Sequence, residues 1–185
     1  MKMDKHVNKT CHIAYSYMRR VSRVRKNLDA QACSMALCSL VLSRIDFCVS
    51  LLRGIGKQGL VKLERVVKNC RKMSERQSKR DEKTLPRWLP VEKRVLLRQS
   101  MIVRTVLGTG YPSYLANLLV HATASRSLRS QRQQLLLVPR CRTSTGSRNW
   151  LLSAVNFWNS LPLNIRLGLG TCAFRAEVEC LLLGR

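Results

Sequence analysis

The sequence predicts a mainly α-helical protein, in which a helical bundle is followed by a small α-rich C-terminal module with at most one or two short strands. Two observations lead to this prediction. Apolar residues recur every three or four positions in most segments, which is the period of a helix with one buried face. Hydrophobic residues make up 45% of the 185-residue chain, which is too apolar a composition for a wholly disordered protein.

Three amphipathic segments, residues 7–27, 29–53 and 58–71, predict the bundle. Asp29 can cap the free amide groups at the start of the second helix, and Gly54 is expected to end that helix. Helices with one apolar face bury it against each other or against a partner, so we expect the three to pack together. The predicted apolar faces consist of Val7, Cys11, Ala14, Met18 and Val21 in the first helix, Cys33, Leu37, Leu40, Val41, Cys48, Leu51 and Leu52 in the second, and Leu60, Leu63, Val67 and Cys70 in the third.

The composition divides the chain into the bundle at residues 5–72, a polar linker at 73–84 and a C-terminal module at 85–185. Pro90 suits the first turn of the first helix of the module, because its missing N–H is not needed there. This helix is expected to end at Gly108 and Gly110. Pro112 then opens a short apolar helix that contains Tyr114, Leu115, Leu118 and Leu119. An edge strand at 135–138, a helix at 150–158 and a last helix capped by Thr171 complete the predicted module.

The chain is strongly basic, with 34 Lys and Arg residues against 10 Asp and Glu residues and a net charge of +24. Such a charge opposes a compact state unless a polyanion is present, so we expect RNA or DNA as the partner, contacted through its phosphate backbone. The alternative readings are a solvated helix face and, for the Ser/Arg segment at 125–130, an ordinary surface loop. The predicted nucleic-acid-binding residues are Arg19, Arg20, Arg23, Arg25 and Lys26 in the first helix and Arg126 and Arg129 in the loop.

Neither a membrane span nor a secretory signal is predicted. No stretch approaches the roughly 20 apolar residues of a span, and no apolar run follows the charged residues 1–6. We therefore expect an intracellular protein, nuclear or cytoplasmic.

The eight cysteines form no CxxC pair, so they are interpreted as reduced thiols rather than as zinc ligands or disulfides, and no metal or other cofactor is predicted. Cys33, Cys48 and Cys70 lie in apolar stripes and are expected to be buried.

Several short motifs follow one another along nearly the whole chain. They are VN at 7–8, SRIDFCVSLLRG at 43–54, LERVVKN at 63–69, LPRWLPVEKRV at 85–95, PSYLANLL at 112–119, SRSLRS at 125–130, VPR at 138–140 and WNSLPLNIR at 158–166, with Phe174 behind them. In this order they resemble the region C-terminal to the polymerase palm in reverse transcriptases of non-LTR retrotransposons, the LINE class with its jockey- and CR1-like elements. The resemblance implies a thumb-like bundle, a nucleic-acid partner, and a polymerase palm or another protein as a further candidate partner.

The chain also departs from the family pattern. CRKMS at 70–74 stands where the family has an alanine-rich segment, and FRAEVE at 174–179 replaces a basic ending. Reverse transcription requires metal ions held by carboxylates, including an adjacent Asp-Asp pair on a tight hairpin. The adjacent acids here are Asp81 and Glu82, in a lysine-rich segment without a hairpin pattern. We therefore predict no catalytic residues and no enzymatic activity.

The sequence thus predicts a non-catalytic C-terminal fragment of such a reverse transcriptase that binds nucleic acid non-specifically. Two alternatives stay open, namely a host-recruited module that binds protein or RNA, and a relic without function or stable fold.

Trp88 and Trp158 lie among Leu and Pro residues, so both are interpreted as core anchors rather than as base-stacking platforms. Asp46 is interpreted as an ion-pair partner of Arg44, and the GxGxxG spacing at 54–59 as a helix-ending turn.

Overall fold

The computed structural model describes residues 3–76, 88–122, 135–143, 146–168 and 170–184. Within these ranges the chain is mainly helical, which confirms the predicted fold class. The chain divides into two compact units, unit 1 from Met1 to Val91 and unit 2 from Glu92 to Arg185. The arginines of the first helix, which are predicted to bind nucleic acid, therefore belong to unit 1.

Unit 1 is a bundle in which the first helix packs along the last. Its helices are α1 (Asp4–Val24), α2 (Ala30–Leu37), α3 (Ser43–Asp46) and α4 (Lys57–Glu75). The predicted apolar face of α1 is confirmed, except that Cys11 is only half-buried. The buried apolar residues of the two long helices are Val7, Ala14, Met18 and Val21 in α1 and Leu63, Val66, Val67, Cys70 and Met73 in α4.

The second predicted helix, residues 29–53, is not continuous, so this part of the prediction was wrong. Asp29 does cap its start, because its Oδ1 accepts the Ala32 N–H at 2.6 Å. After α2, however, the backbone forms a π-helical turn at Cys38–Leu42, and a 3₁₀ turn at Val49–Leu52 follows α3. The segment therefore changes direction and register between its two ends.

The register change has an identifiable cause. A π-helical turn holds an extra residue, and a serine hydroxyl that bonds back to the preceding turn bends a helix. Ser39 Oγ donates to the Met35 carbonyl oxygen at 2.9 Å. Leu40 and Leu51 were predicted to be buried, and they are instead 40% and 61% exposed. The buried apolar residues of the segment are Cys33, Leu37, Val41, Leu42, Ile45, Val49 and Leu52.

The prediction that Cys48 is buried was also wrong, whereas Cys33 and Cys70 are buried as predicted. α3 ends at Asp46, and Cys48 takes a left-handed conformation with φ of +53°, so its side chain leaves the apolar face. Gly54 also has a positive φ, +87°, in the turn before α4. The GxGxxG spacing at 54–59 therefore leads into the start of a helix and does not end a long one.

α4 extends further than predicted, to Glu75. The Ser74 hydroxyl is buried and lies 2.5 Å from the hydroxyl of Ser34 on α2, which fixes the last turns of α4 to the bundle. The first residues of the predicted linker at 73–84 are consequently helical. Residues 77–84 lie outside the described residues.

Unit 2 is built from a second set of helices. They are α5 (Val91–Thr109, whose first residue belongs to unit 1), α6 (Ser113–Ala116), α7 (Trp150–Ser160), α8 (Leu163–Gly168) and α9 (Thr171–Leu183). Of the two glycines predicted to end α5, Gly110 does so, with φ of +68° and its N–H donating to the Val106 carbonyl oxygen at 2.8 Å, whereas Gly108 is still helical. Asn149 caps α7, because its Oδ1 accepts the Leu151 N–H at 3.1 Å.

The core of unit 2 is centred on Trp158. This side chain is 3% exposed, and its ring centroid lies 5.9 Å from that of Phe174 on α9. The prediction that Trp158 is a core anchor is confirmed. On α5, the guanidinium of Arg104 lies 4.7 Å from the Phe174 ring centroid and donates to the Arg166 carbonyl oxygen at 3.1 Å. The ring pair thus connects α7 and α9, and the arginine adds α5 and α8.

The edge strand predicted at 135–138 is reduced to one antiparallel bridge between Leu136 and His121. Two backbone hydrogen bonds flank this bridge, from the Ala122 N–H to the Leu135 carbonyl oxygen and from the Leu137 N–H to the Val120 carbonyl oxygen, both at 2.8 Å. Asn159 on α7 holds the extended backbone as well. Asn159 Nδ2 donates to the Leu136 carbonyl oxygen at 2.8 Å, and its Oδ1 accepts the Leu136 N–H at 2.9 Å. At Leu136 a side-chain amide therefore takes the place of a second neighbouring strand.

Two further details of unit 2 differ from the predictions. Thr171 was predicted to cap the last helix, but it is the first helical residue, and no side chain caps α9. In the short helix after Pro112, Tyr114 and Leu118 are exposed and Leu119 is buried. α6 has only four residues, so it cannot bury a complete apolar face.

We expect Trp158→Ala to destabilise unit 2 by about 3–5 kcal/mol, because it removes a large buried ring and leaves a cavity beside Phe174. Urea unfolding followed by far-ultraviolet circular dichroism measures this loss. Phe157→Ala, the matched control, removes a half-exposed ring from the same helix and should cost much less. Equal losses would show that the Trp158 ring is not a core contact.

In unit 1, Ser74→Ala should cost about 1–3 kcal/mol, because it leaves the buried Ser34 hydroxyl without its partner. The double variant Ser34→Ala with Ser74→Ala removes both hydroxyls and should be closer to the unchanged protein than the sum of the two single losses. The free energies of unfolding of the four proteins form a double-mutant cycle. Strict additivity in that cycle would mean that the two hydroxyls do not interact.

Candidate nucleic-acid interface

Basic side chains cover the solvent-exposed face of α1. The buried residues of this helix occupy one side, and because the helix repeats every 3.6 residues, the basic positions fall on the opposite side. We call Lys5, Lys9, Arg19, Arg20 and Arg23, which are all exposed, the α1 basic face. At a rise of 1.5 Å per residue, this face is about 27 Å long. Three of the predicted binding residues thus lie together on one exposed surface.

In the described part of unit 1, the arginines of the α1 basic face have no carboxylate partner. The sole acidic residue of α1 is Asp4, in its first turn. Among the described residues, Arg19, Arg20 and Arg23 form no ion pair. Neighbouring like charges repel each other, and a bound anion relieves that repulsion. The planar guanidinium also matches the geometry of a phosphate group, with two parallel hydrogen bonds.

Two other predicted residues, Arg25 and Lys26, follow α1 in the 3₁₀ turn Arg25–Asn27. Lys26 is exposed, whereas Arg25 is half-buried. Burial raises the pKa of the Cys33 thiol, and the nearby charge of Arg25 opposes that shift. Arg25 therefore lies next to the core of the bundle, and it is less available to a ligand than the residues of the α1 basic face.

Arg44 on α3, which is not among the predicted binding residues, extends the surface. Its guanidinium carbon lies 5.2 Å from the centroid of the Tyr17 ring, and that of Arg20 lies at the same distance. Arg44 Nη2 also donates to the Tyr17 hydroxyl at 3.4 Å. One aromatic ring thus orients two guanidinium groups by cation–π contacts. No local sequence signal identifies this cluster, because it depends on how α3 packs on α1.

Arg126 and Arg129, the predicted binding residues of the Ser/Arg loop, lie outside the described residues. Within the described ranges, no three His, Cys, Asp or Glu side chains are grouped so that they can hold a metal ion. None of the described helices is both long and apolar enough to cross a membrane. The candidate interface of the described chain is therefore the α1 basic face together with Arg44.

Comparison of the chain with known protein families, with curated proteins and with solved structures gave no match. The resemblance to LINE-type reverse transcriptases consequently rests on the order of the short motifs. The candidate interface rests on the exposure, spacing and charge of its side chains.

Proposed function

We propose that the chain binds RNA or DNA through the phosphate backbone, without reading base sequence and without catalysing a reaction. The observation that carries this proposal is the α1 basic face, in which the three exposed arginines have no ion-pair partner among the described residues. Phosphate contacts position a protein on nucleic acid but carry no sequence information, so such a face favours non-specific binding. The proposed location is the nucleus or the cytoplasm, where these ligands occur.

We further propose that the chain is related to the C-terminal region of LINE-type reverse transcriptases. The order of its motifs supports this relation. In the motif WNSLPLNIR at 158–166, Trp158 is a core residue and Asn159 holds an extended segment by two hydrogen bonds. Packing roles of this kind favour a structural function for the motif, in agreement with a non-catalytic region.

Replacing Arg19, Arg20, Arg23 and Lys26 together by Gln should weaken binding to every nucleic-acid sequence alike. Each lost phosphate contact removes about 0.9 from the slope of log K against log salt concentration on duplex DNA, and about 0.7 on single strands. The slope should therefore become shallower by about three units. Titrations by fluorescence anisotropy at several salt concentrations, on two unrelated sequences, measure both effects.

The matched control removes four exposed cations from unit 2, by changing Arg98, Arg140, Arg142 and Arg148 to Gln. Both quadruple variants lower the net charge equally, so any difference between them reports the arrangement of the charges. The control should lose less affinity and keep a steeper slope than the α1 variant. Indistinguishable losses would leave bulk electrostatic attraction as the whole effect and would refute the α1 basic face as an interface.

The purified chain should not extend a primer. With primer–template, nucleotides and Mg²⁺ or Mn²⁺, we expect no product, because polymerisation requires a set of metal-binding carboxylates that the sequence does not present. Primer extension followed by gel electrophoresis is the measurement, with an active reverse transcriptase as the positive control. Extension activity that follows the protein through purification would overturn the non-catalytic assignment.

A further inference from the structure

A second surface of unit 1 has the properties of a ligand site. A groove of 470 Å³ lies between α4 and the segment that contains Trp88 and Pro90. This volume is within the range of about 300–1,000 Å³ that is typical of small-ligand sites. Its apolar wall includes Leu60 and Val61, and Val61 is 55% exposed, so apolar surface is open to solvent here.

Basic side chains border the same groove. Arg65 and Lys68 on α4 line it, both are exposed, and neither forms an ion pair among the described residues. Arg71 also lines the groove, but it is paired with Glu75 at 2.7 Å. Glu64 lines the groove as well, so the lining carries one carboxylate against three cations, of which Arg71 is paired with Glu75. An apolar wall with a net positive border is complementary to a ligand that combines a flat apolar part with negative charge.

Trp88 presents carbon rather than nitrogen to this groove. The residue is half-buried, but its Nε1 is inaccessible to solvent and has no acceptor among the described residues. Because Nε1 is buried, any contact of the indole with a ligand in the groove is made by carbon, through stacking and not through hydrogen bonding. Glu64 positions the segment that carries Trp88, because its Oε1 accepts the Val91 N–H at 2.5 Å. The Glu64 carboxylate is thereby engaged on the protein side.

We propose that this groove binds an unpaired nucleotide of single-stranded RNA or DNA, with the base against Trp88 and the adjoining phosphates on Arg65 and Lys68. Every base has an aromatic face, so stacking on an indole tolerates any sequence. The charges of an acidic peptide satisfy the two cations, but its carboxylates offer no flat apolar surface to the half-buried indole and to Val61. From its Leu and Pro neighbours in the sequence, Trp88 was interpreted as a core anchor. In the structure Trp88 is only half-buried, and α4 places Arg65 and Lys68 in the same groove.

This proposal rests on the proposed function, because both require nucleic acid as the ligand, but it adds a contact to the base. The full chain is titrated with a thymidine oligonucleotide and with an abasic oligonucleotide of the same length, which carries the same phosphates. A stacked base should make the thymidine oligonucleotide bind roughly 5- to 150-fold more tightly, the range expected for one base on an aromatic ring. Equal affinities with retained salt dependence would overturn the groove and leave the proposed function standing, whereas no binding to either would overturn both.

Variants locate the base contact. Trp88→Ala should abolish the preference for thymidine over abasic oligonucleotide, whereas Trp88→Phe keeps an aromatic face and should retain most of it. Trp150→Ala, the matched control, removes a half-buried tryptophan from unit 2 and should leave the preference unchanged. A preference that survives Trp88→Ala, or is lost equally in the Trp150→Ala protein, would overturn the assignment. Circular dichroism of the Trp88→Ala protein checks that it is folded, and the comparison of the two oligonucleotides on the unchanged chain tests the base contact whether or not this variant folds.

A double variant and a competing peptide distinguish a nucleotide site from a peptide site in this groove. Arg65→Gln with Lys68→Gln should weaken both oligonucleotides by a similar factor and leave their ratio unchanged, because the phosphates are common to both. An acidic peptide of the same net charge should compete weakly for the groove. If the peptide, at the same concentration as the oligonucleotides, removes the preference for thymidine over abasic oligonucleotide, the groove favours a protein ligand and the proposal is overturned.

Discussion

The packing of α1 along α4 is the interaction on which the rest of unit 1 depends. In a chain with a net charge of +24, α1 can bury an apolar face only if its own cations stay in water, since an unpaired buried charge is very costly. Val7, Ala14, Met18 and Val21 are all 8% exposed or less, so the opposite side of α1 has to carry its basic residues. The same requirement on α4 places Arg65 and Lys68 outside and Leu63 and Val67 inside. Both proposed surfaces thus follow from one apolar contact.

The shape of the intervening segment determines what joins these surfaces. A continuous helix over residues 29–53 would have placed Arg44 by its helical register alone. The π-helical turn at Cys38–Leu42 instead shifts the register of α3, and the Arg44 guanidinium lies over the Tyr17 ring beside Arg20. The irregular backbone therefore has a consequence for charge, because it adds a guanidinium from another helix to the α1 basic face. Two arginines held by one ring lose less side-chain freedom when a phosphate binds than two free arginines would.

The sequence was sufficient wherever the determining contacts are local or periodic. The apolar face of α1, the Asp29 cap and the end of α5 at Gly110 all depend on residues within a few turns, and the structure confirms them. The predicted long second helix was wrong because the Ser39 back-bond and the π-helical turn override the apparent register of Leu40 and Leu51. The composition around Trp88 did not reveal its groove, because its basic border comes from α4, which is distant in sequence. The spacing of apolar residues along the sequence therefore predicts the faces of single helices, but it does not predict which distant residues pack against each other.

The two surfaces suit different parts of one ligand. The α1 basic face presents charge over about 27 Å and no described aromatic platform apart from Tyr17, which its own arginines occupy. It can therefore hold a backbone, in duplex or single strand, without distinguishing them. The groove beside Trp88 offers apolar surface to a base, and a base is free to enter only where the strand is unpaired. Under the two proposals, the charges of such a chain would bind any nucleic acid, and the groove would add a contact where single-stranded nucleotides are available. The binding free energy from the α1 basic face is sensitive to salt, whereas the contribution of stacking in the groove is largely not. As ionic strength rises, the groove should therefore contribute a larger share of the total binding free energy.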